Sequence, residues 1–278
     1  MSAMRRNPPW KRVRPTSKAA AAAKRLLEAH ERRARFEPLP EELAPRTAEE
    51  AYAIQDAFVA LRAQKLGAIA GYKVALASEA MRRHVGVDAP QLGAMFDSTL
   101  HRSPGRVRGS DYVHLIVEFE IGVEIVEDLP AADAPFSRER VARAIGGVLP
   151  AIELADDRNA DYAVLARRPF ELIADNCWSE GAVLGAALQG WKELDLAALR
   201  GVASVNGEPV GEGRGAAAMG HPLDAVAWVA NLLSSHGRGL LRTEVVITGN
   251  LMTSKSVQAG DRVSFELEGL GAAELQVD

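Results

Sequence analysis

The chain has 278 residues, of which 47% are hydrophobic, with a net charge of −4 and a single cysteine, Cys177. That length and apolar share suit one large domain, or a substantial core domain with a smaller N-terminal part, and the charge gives no reason to expect nucleic-acid binding. One cysteine excludes an internal disulfide or a thiolate metal cluster, and no apolar run approaches the roughly 20 residues that span a bilayer, so a soluble cytoplasmic protein is expected.

Residues 1–27 carry Arg5, Arg6, Lys11, Arg12, Arg14, Lys18, Lys24 and Arg25, with no acid before Glu28. Such a segment also describes an organellar transit peptide, while the alanines of 19–23 are too short a run for a secretory signal. The more ordinary reading is a basic surface helix, capped by Ser17 and running toward Arg35, behind a poorly ordered arm over residues 1–15. Thr47 with Glu50 three residues later forms a capping box, followed by Tyr52, Ile54, Ala57, Phe58 and Leu61 at helical spacing. These helices define a helical N-terminal part over 16–70. A β-rich core over 71–278 opens with the short strand Gly71-Tyr-Lys-Val-Ala-Leu76, which carries Lys73. Ser78 caps a brief helix ending near Val85. Residues 89–111, punctuated by Pro90, Gly93, Pro104, Gly105 and Gly109, read as loop.

The run from His114 to Val126 is β-branched and alternating, which predicts a strand. Its period of two sets Glu118, Glu120 and Glu124 on one face and Val117, Phe119, Ile121, Val123 and Ile125 on the other. An amphipathic strand with a wet acidic face has the same pattern. Glu153 is different, because it stands alone in the apolar run Leu149-Pro-Ala-Ile-Glu-Leu154 and needs a partner there. Glu118, Glu120 and Glu153 meeting in a cleft would make a hard oxygen site of the kind Mg²⁺ or Mn²⁺ prefers. An ion so held can chelate an α-keto acid and stabilise the enolate formed from it.

Ser137 caps a helix reaching Ile145, and strands are expected at 148–154, 179–185, 202–206, 244–248, 262–267 and 273–277. Val205-Asn-Gly-Glu208 marks a tight turn between two of them. His221-Pro222 opens a helix that buries Leu223, Val226, Ala227, Ala230 and Leu233 and stops at Gly237. Many strands with few helices predict an α+β fold on a curved, mixed sheet, not a doubly wound one. Asp175 and Asn176, just before a strand, suit either hydrogen bonds behind a metal site or a simple turn. His221 suits either an anion contact or a cap. Cys177 reads as a small core residue.

Several motifs occur in a defined order: Gly71-Tyr-Lys-Val-Ala-Leu76, Val85-Gly-Val-Asp88, Val117-Glu-Phe-Glu-Ile121, Pro150-Ala-Ile-Glu-Leu-Ala-Asp-Asp-Arg158, Ala174-Asp-Asn176, the run from Gly220 to Asn231, Ile247-Thr-Gly249, Ala259-Gly-Asp261 and Glu268-Gly-Leu-Gly271. Over about residues 45–278 the set resembles the 2-keto-4-pentenoate hydratase and 4-oxalocrotonate decarboxylase branch of the fumarylacetoacetate hydrolase superfamily. The resemblance implies a mixed β-roll core, a divalent Mg²⁺ or Mn²⁺ ion, homo-oligomers from dimers upward, and association with a related pathway enzyme. It puts the metal ligands on Glu118, Glu120 and Glu153 and the family lysine on Lys73. That lysine would either exchange protons or stay charged and bind the substrate carboxylate.

Two departures bear on the reaction. The resemblance leads one to expect an aspartate after Pro90, where this chain has Gln91, a side chain that can only hydrogen-bond. After Thr248-Gly249 it reads Asn250-Leu-Met-Thr-Ser-Lys255 in place of Ala-Leu-Gly-Pro, which makes Ser254 and Lys255 candidate substrate contacts beside Thr248. The leading expectation is a hydratase adding water to 2-hydroxypenta-2,4-dienoate or a related 2-hydroxy-dienoate of aromatic catabolism. Decarboxylation of a 4-oxalocrotonate-type acid and carbon–carbon hydrolysis of an acylpyruvate are the alternatives. The hydrolysis needs a His-centred relay, and His84, His101 and His114 have no partner legible in the sequence. A catalytically inactive scaffold, docking through its basic N-terminal extension, is the reading outside enzymes.

Overall fold

A computed structural model describes residues 15–278. The arm expected over residues 1–15 lies outside the described residues except for Pro15. Thr16, one residue before the expected cap, closes the start of α1 (Ser17–Glu31) by accepting from Ala19 N at 3.2 Å. The helix stops short of Arg35 because Arg33 turns left-handed (φ 48°) and the Phe36 N–H leaves to bond the Arg158 carbonyl. Thr47 caps α2 (Ala48–Leu66) as expected, and Gly67 (φ 89°) ends it.

The core begins at β1 (Ile69–Ala75), followed by α3 (Glu79–Val85) with Ser78 as its cap. Residues 89–111 are not loop: they contain β2 (Gln91–Phe96), β3 (Leu100–Arg102) and β4 (Gly105–Val107). Every residue of β2 is buried, so it has no polar alternation to read, and the other two strands are too short to show one. Then come β5 (Leu115–Ile125), α4 (Arg138–Ala144), β6 (Ile145–Asp156), the short helices α5 (Tyr162–Leu165) and α6 (Phe170–Ala174), and β7 (Ser179–Leu184). Next are β8 (Arg200–Val205), β9 (Glu208–Arg214), α7 (Pro222–Ser235), β10 (Val245–Asn250), β11 (Lys255–Ser256), β12 (Arg262–Leu267) and β13 (Gly271–Val277). Asn206 (φ 55°) and Gly207 (φ 84°) make the expected tight turn between β8 and β9, since positive φ at both positions matches strand twist.

Two mixed sheets result. The larger, eight-stranded sheet runs β2-β1-β10-β5-β6-β7-β3, with β11 also paired to β5; the smaller runs β4-β13-β12-β8-β9. Among the described residues only β1–β10, β3–β7 and β4–β13 are parallel. This is the expected α+β roll. Val117, Phe119, Ile121 and Val123 are fully buried, and the Phe119 ring meets Phe265 of the second sheet at 5.5 Å. Ala22 and Ala23 of α1 and Phe58 of α2 belong to this same apolar cluster, so the N-terminal helices share the core. Among the described residues no helix is long and apolar enough to cross a membrane.

Candidate metal centre

Strand β5 lies between β10 and β6, and the β5–β6 register sets Glu118 directly opposite Glu153. Side chains at facing positions of an antiparallel pair share one side of the sheet, with Cβ atoms about 5 Å apart. Glu120 follows Glu118 on that side by the strand period. One carboxylate oxygen from each of the three lies within 4.8 Å of the others. Glu120 and Glu153 have no solvent exposure and Glu118 is half-buried, which rules out the wet acidic face. Glu124 is not part of the group; it pairs with Arg102 at 3.3 Å.

A bulge in β10 holds Glu120. Its pairing with β5 is regular to Ile247↔Gly122 and then jumps to Asn250↔Glu120. Inside the jump, the Gly249 N–H donates to Glu120 Oε2 at 2.7 Å and the Thr248 hydroxyl to the Ile121 carbonyl at 2.9 Å. Thr248 is therefore anchored to the neighbouring strand. From β1, Lys73 Nζ reaches 2.7 Å from Glu153 Oε1. Gly93, opposite Lys73 on β2, makes room: a Cβ there would stand 3.1 Å from Lys73 Cγ and 2.8 Å from the Asn176 carbonyl oxygen.

The electrostatics of the group call for a cation. Burial pushes the Glu118 carboxyl up to about 7, with Glu153 adding to the shift and Lys73 opposing it. Glu120 is raised well above the ordinary carboxylate range by burial, then by Glu153 and Glu118, against the Gly249 N–H and Lys73. Burial alone would lower the pKa of Lys73, but the carboxylates of Glu153 and Glu118 more than offset it and keep the ammonium form. One ammonium faces three carboxylates, and buried Glu120 Oε1 and Glu153 Oε2 have no hydrogen-bond partner. Orphaned oxygens in a small, anionic, all-oxygen set are what a divalent ion satisfies.

Gln91, at the start of β2, is opposite Ala75 and so on the Lys73 side of the sheet; its Oε1 is buried without a partner and its amide donates weakly to the Pro169 carbonyl at 3.4 Å. Asn176 is fully buried and clamps β2, accepting from Ala94 N at 2.8 Å and donating to the Ala94 carbonyl at 2.9 Å. Asp175 bonds His30 Nε2 at 2.7 Å and the Arg158 guanidinium, not the glutamates. Buried Cys177 donates to the Leu92 carbonyl at 3.4 Å, and burial pushes its thiol up to about 12. Of two further candidates, one takes the second of its two expected roles and one lies elsewhere. His221 Nδ1 accepts from Leu223 N at 3.1 Å and caps α7, with Arg138 and Asp224 as its charged neighbours. Lys255 pairs with Val117, whose side chain faces away from Glu118, because its register is one residue out of step with the glutamates.

Sequence reasoning named His114 but found it no partner. His114 lies two alternations before Glu118 on the same side, and the structure holds it between Asp157 and Ser256. Its period-two spacing from Glu118 was a legible signal; its partners, 43 and 142 residues away, were not.

Residues 66–278 match the family described as fumarylacetoacetate (FAA) hydrolase C-terminal. The chain belongs to this family. Within it, the chain is 33% identical to a 2-keto-4-pentenoate hydratase of Paraburkholderia phymatum over 250 residues, covering 90% of this chain and 94% of that protein. It is 31% identical to a 4-oxalocrotonate decarboxylase of Pseudomonas putida over 226 residues, covering 80% and 83%. The fumarylacetoacetate hydrolase fold also aligns with the solved 4-oxalocrotonate decarboxylase of Pseudomonas putida G7, complexed with magnesium and adipate. The TM-score is 0.82 at 28% identity, over 94% of this chain and 97% of that one.

Proposed function

We propose that the protein is a divalent-metal-dependent hydratase, a lyase that adds water to 2-hydroxypenta-2,4-dienoate or a related 2-hydroxy-dienoate to give a 4-hydroxy-2-oxo acid. The observation that carries this is the register pairing of Glu118 with Glu153, with Glu120 beside them and Lys73 at 2.7 Å from Glu153. The names of the similar hydratases support the substrate class.

Glu118, Glu120 and Glu153 would hold the ion, Mg²⁺ or Mn²⁺. When bound, it supplies Lewis-acid stabilisation of charge on the substrate's carboxylate and 2-oxygen. The Gly249 N–H fixes the orientation of Glu120. Lys73, kept as an ammonium, orients the substrate carboxylate or passes a proton as the dienol becomes the ketone and water enters at C4. Gln91 offers a hydrogen bond from the Lys73 side of the sheet. Asn176 supports that side by holding β2, and Asp175 ties the adjoining segment to α1 through His30.

Decarboxylation of a 4-oxalocrotonate-type acid is the second reading. It is favoured by an amide at Gln91, since loss of CO₂ needs no base to activate water, and by the likeness to the decarboxylase in sequence and structure. Homo-oligomeric assembly belongs to the same proposal and is checked by light scattering.

An ultraviolet assay with Mg²⁺ tests the function on 2-hydroxypenta-2,4-dienoate and 4-oxalocrotonate side by side. Dienoate loss that falls by about 10²–10³-fold in Glu153→Gln is expected, the size typical for a removed charge-stabilising group. Turnover of 4-oxalocrotonate alone, with CO₂ released, would make the protein a decarboxylase.

A further inference from the structure

His114, Asp157 and Ser256 form a constellation that the metal-dependent reaction does not use. His114 Nδ1 lies 2.7 Å from Asp157 Oδ1, and His114 Nε2 lies 2.8 Å from Ser256 Oγ. The Tyr162 hydroxyl donates to the other Asp157 oxygen at 2.8 Å, and Asn159 N donates to Asp157 Oδ1 at 2.9 Å, so the carboxylate is fixed. The backbone around the histidine is fixed too: Val113 N and His114 N each donate to Asp156 at 2.8 Å.

Partner chemistry sets the tautomer. A carboxylate only accepts, so Nδ1 carries the hydrogen and Nε2 accepts from the Ser256 hydroxyl. Burial is graded along the line: the Asp157 side chain is 3% exposed, that of His114 35%, and Ser256 is exposed. An accessible nucleophile, a half-open base and a buried orienting acid are the roles of a hydrolytic triad. The register also orients the Ser256 backbone. Val257 N bonds the Leu115 carbonyl at 3.1 Å while Ser256 faces Ile116. Hydrogen-bonded and non-bonded pairs alternate, so the Ser256 N–H points away from β5, toward the other edge of β11. His114 is four residues from Glu118, about 13 Å along the strand, beyond the carboxylate group.

We propose that Ser256, His114 and Asp157 form a second reactive centre that hydrolyses small carboxylic esters. Ser256 Oγ attacks the ester carbonyl carbon as its proton passes to His114 Nε2. The bond to the alcohol oxygen breaks, and the alcohol leaves with the proton from Nε2. Water then attacks the acyl-serine, giving its proton to Nε2, and the carboxylic acid departs as Ser256 recovers its proton. Asp157 holds the ring and offsets the imidazolium charge throughout.

The test uses the full-length protein and p-nitrophenyl acetate, with and without chelator. A burst of p-nitrophenolate equal to the protein present is expected, with the acetyl group located on Ser256 by peptide mass spectrometry, whether or not metal is removed. Ser256→Ala, folded by circular dichroism, should lose both burst and label. His114→Gln should acylate Ser256 about 10²–10⁴-fold more slowly, the size of a lost general base. Equal release by wild type and Ser256→Ala, or acetyl found only on lysines, would overturn the proposal. So would a folded His114→Gln that labels Ser256 at the wild-type rate. Because the readout is independent of metal and of dienoate turnover, its failure leaves the hydratase reading untouched.

Discussion

At Gly249 the backbone sits at φ 112°, and a Cβ there would stand 2.3 Å from that of Ala77. The Gly249 N–H also donates the hydrogen bond by which β10 holds the Glu120 carboxylate. Gly249→Ala is therefore expected to cost about 1–3 kcal/mol through backbone strain and to displace a proposed metal ligand. Thermal melting should show the first effect and titration calorimetry with Mg²⁺ the second; an alanine variant with unchanged Mg²⁺ affinity would separate the bulge from metal binding. At this scale the glutamates were legible, because a period of two and an isolated carboxylate are sequence properties. The place of Lys255 was not, because a one-residue register offset decides where its side chain goes, whereas His221 takes the cap that was one of its two readings.

The segment after α6 carries three consecutive residues in the left-handed region, Asn176 (φ 52°), Cys177 (φ 51°) and Trp178 (φ 57°). Each costs about 1–2 kcal/mol for an L-residue, so the turn persists only because its surroundings over-determine it. The Asn176 amide supplies two of those restraints through Ala94, the neighbour of Gly93, which faces Lys73. Asn176→Ala should lower stability by about 2–4 kcal/mol, as two buried backbone groups lose their partners. It should also reduce dienoate kcat more than it raises KM, since Lys73 loses its support; a stability loss with unchanged kcat would confine Asn176 to folding. The strands carrying Glu118 and Glu153 are readable as elements, whereas β2 shows no strand pattern because burial on both faces erases alternation.

Across the whole molecule, a buried charge network fastens the N-terminal helices to the core. His30 of α1 bonds Asp175, and Arg62 of α2 pairs with Glu180 at 2.6 Å. Burial alone would raise the Glu180 pKa, but Arg62 and His30 hold it at about 2, against an ordinary 4.5. A depressed carboxylate contributes above its unfolded value and loses the contribution as pH falls through the folded one. That fall is worth about 3 kcal/mol, lost between pH 4.5 and about 2. His30 runs the other way: burial works to lower its pKa, but Asp175 and Glu180 raise it above 6.5, so its contribution is complete below pH 6.5 and is lost on the alkaline side. Glu180→Gln should melt lower at neutral pH and show a flatter decline in acid, followed by circular dichroism. A parallel decline in both proteins would place the acid sensitivity elsewhere.

What the sequence by itself determined was the element pattern of most of the chain, the α+β class, and the three glutamates with Lys73 as one chemical group. These follow from local periodicity, capping and an ordered set of motifs, which need no knowledge of distant contacts. Tertiary structure decided the rest. It set Glu153 opposite Glu118, bent β10 so that Gly249 meets Glu120, tied Asp175 to an N-terminal helix, and brought Ser256 to His114 across 142 residues. The reason is physical: strand register and long-range ion pairs are fixed by the burial of whole faces at once, and no short window of sequence carries that information.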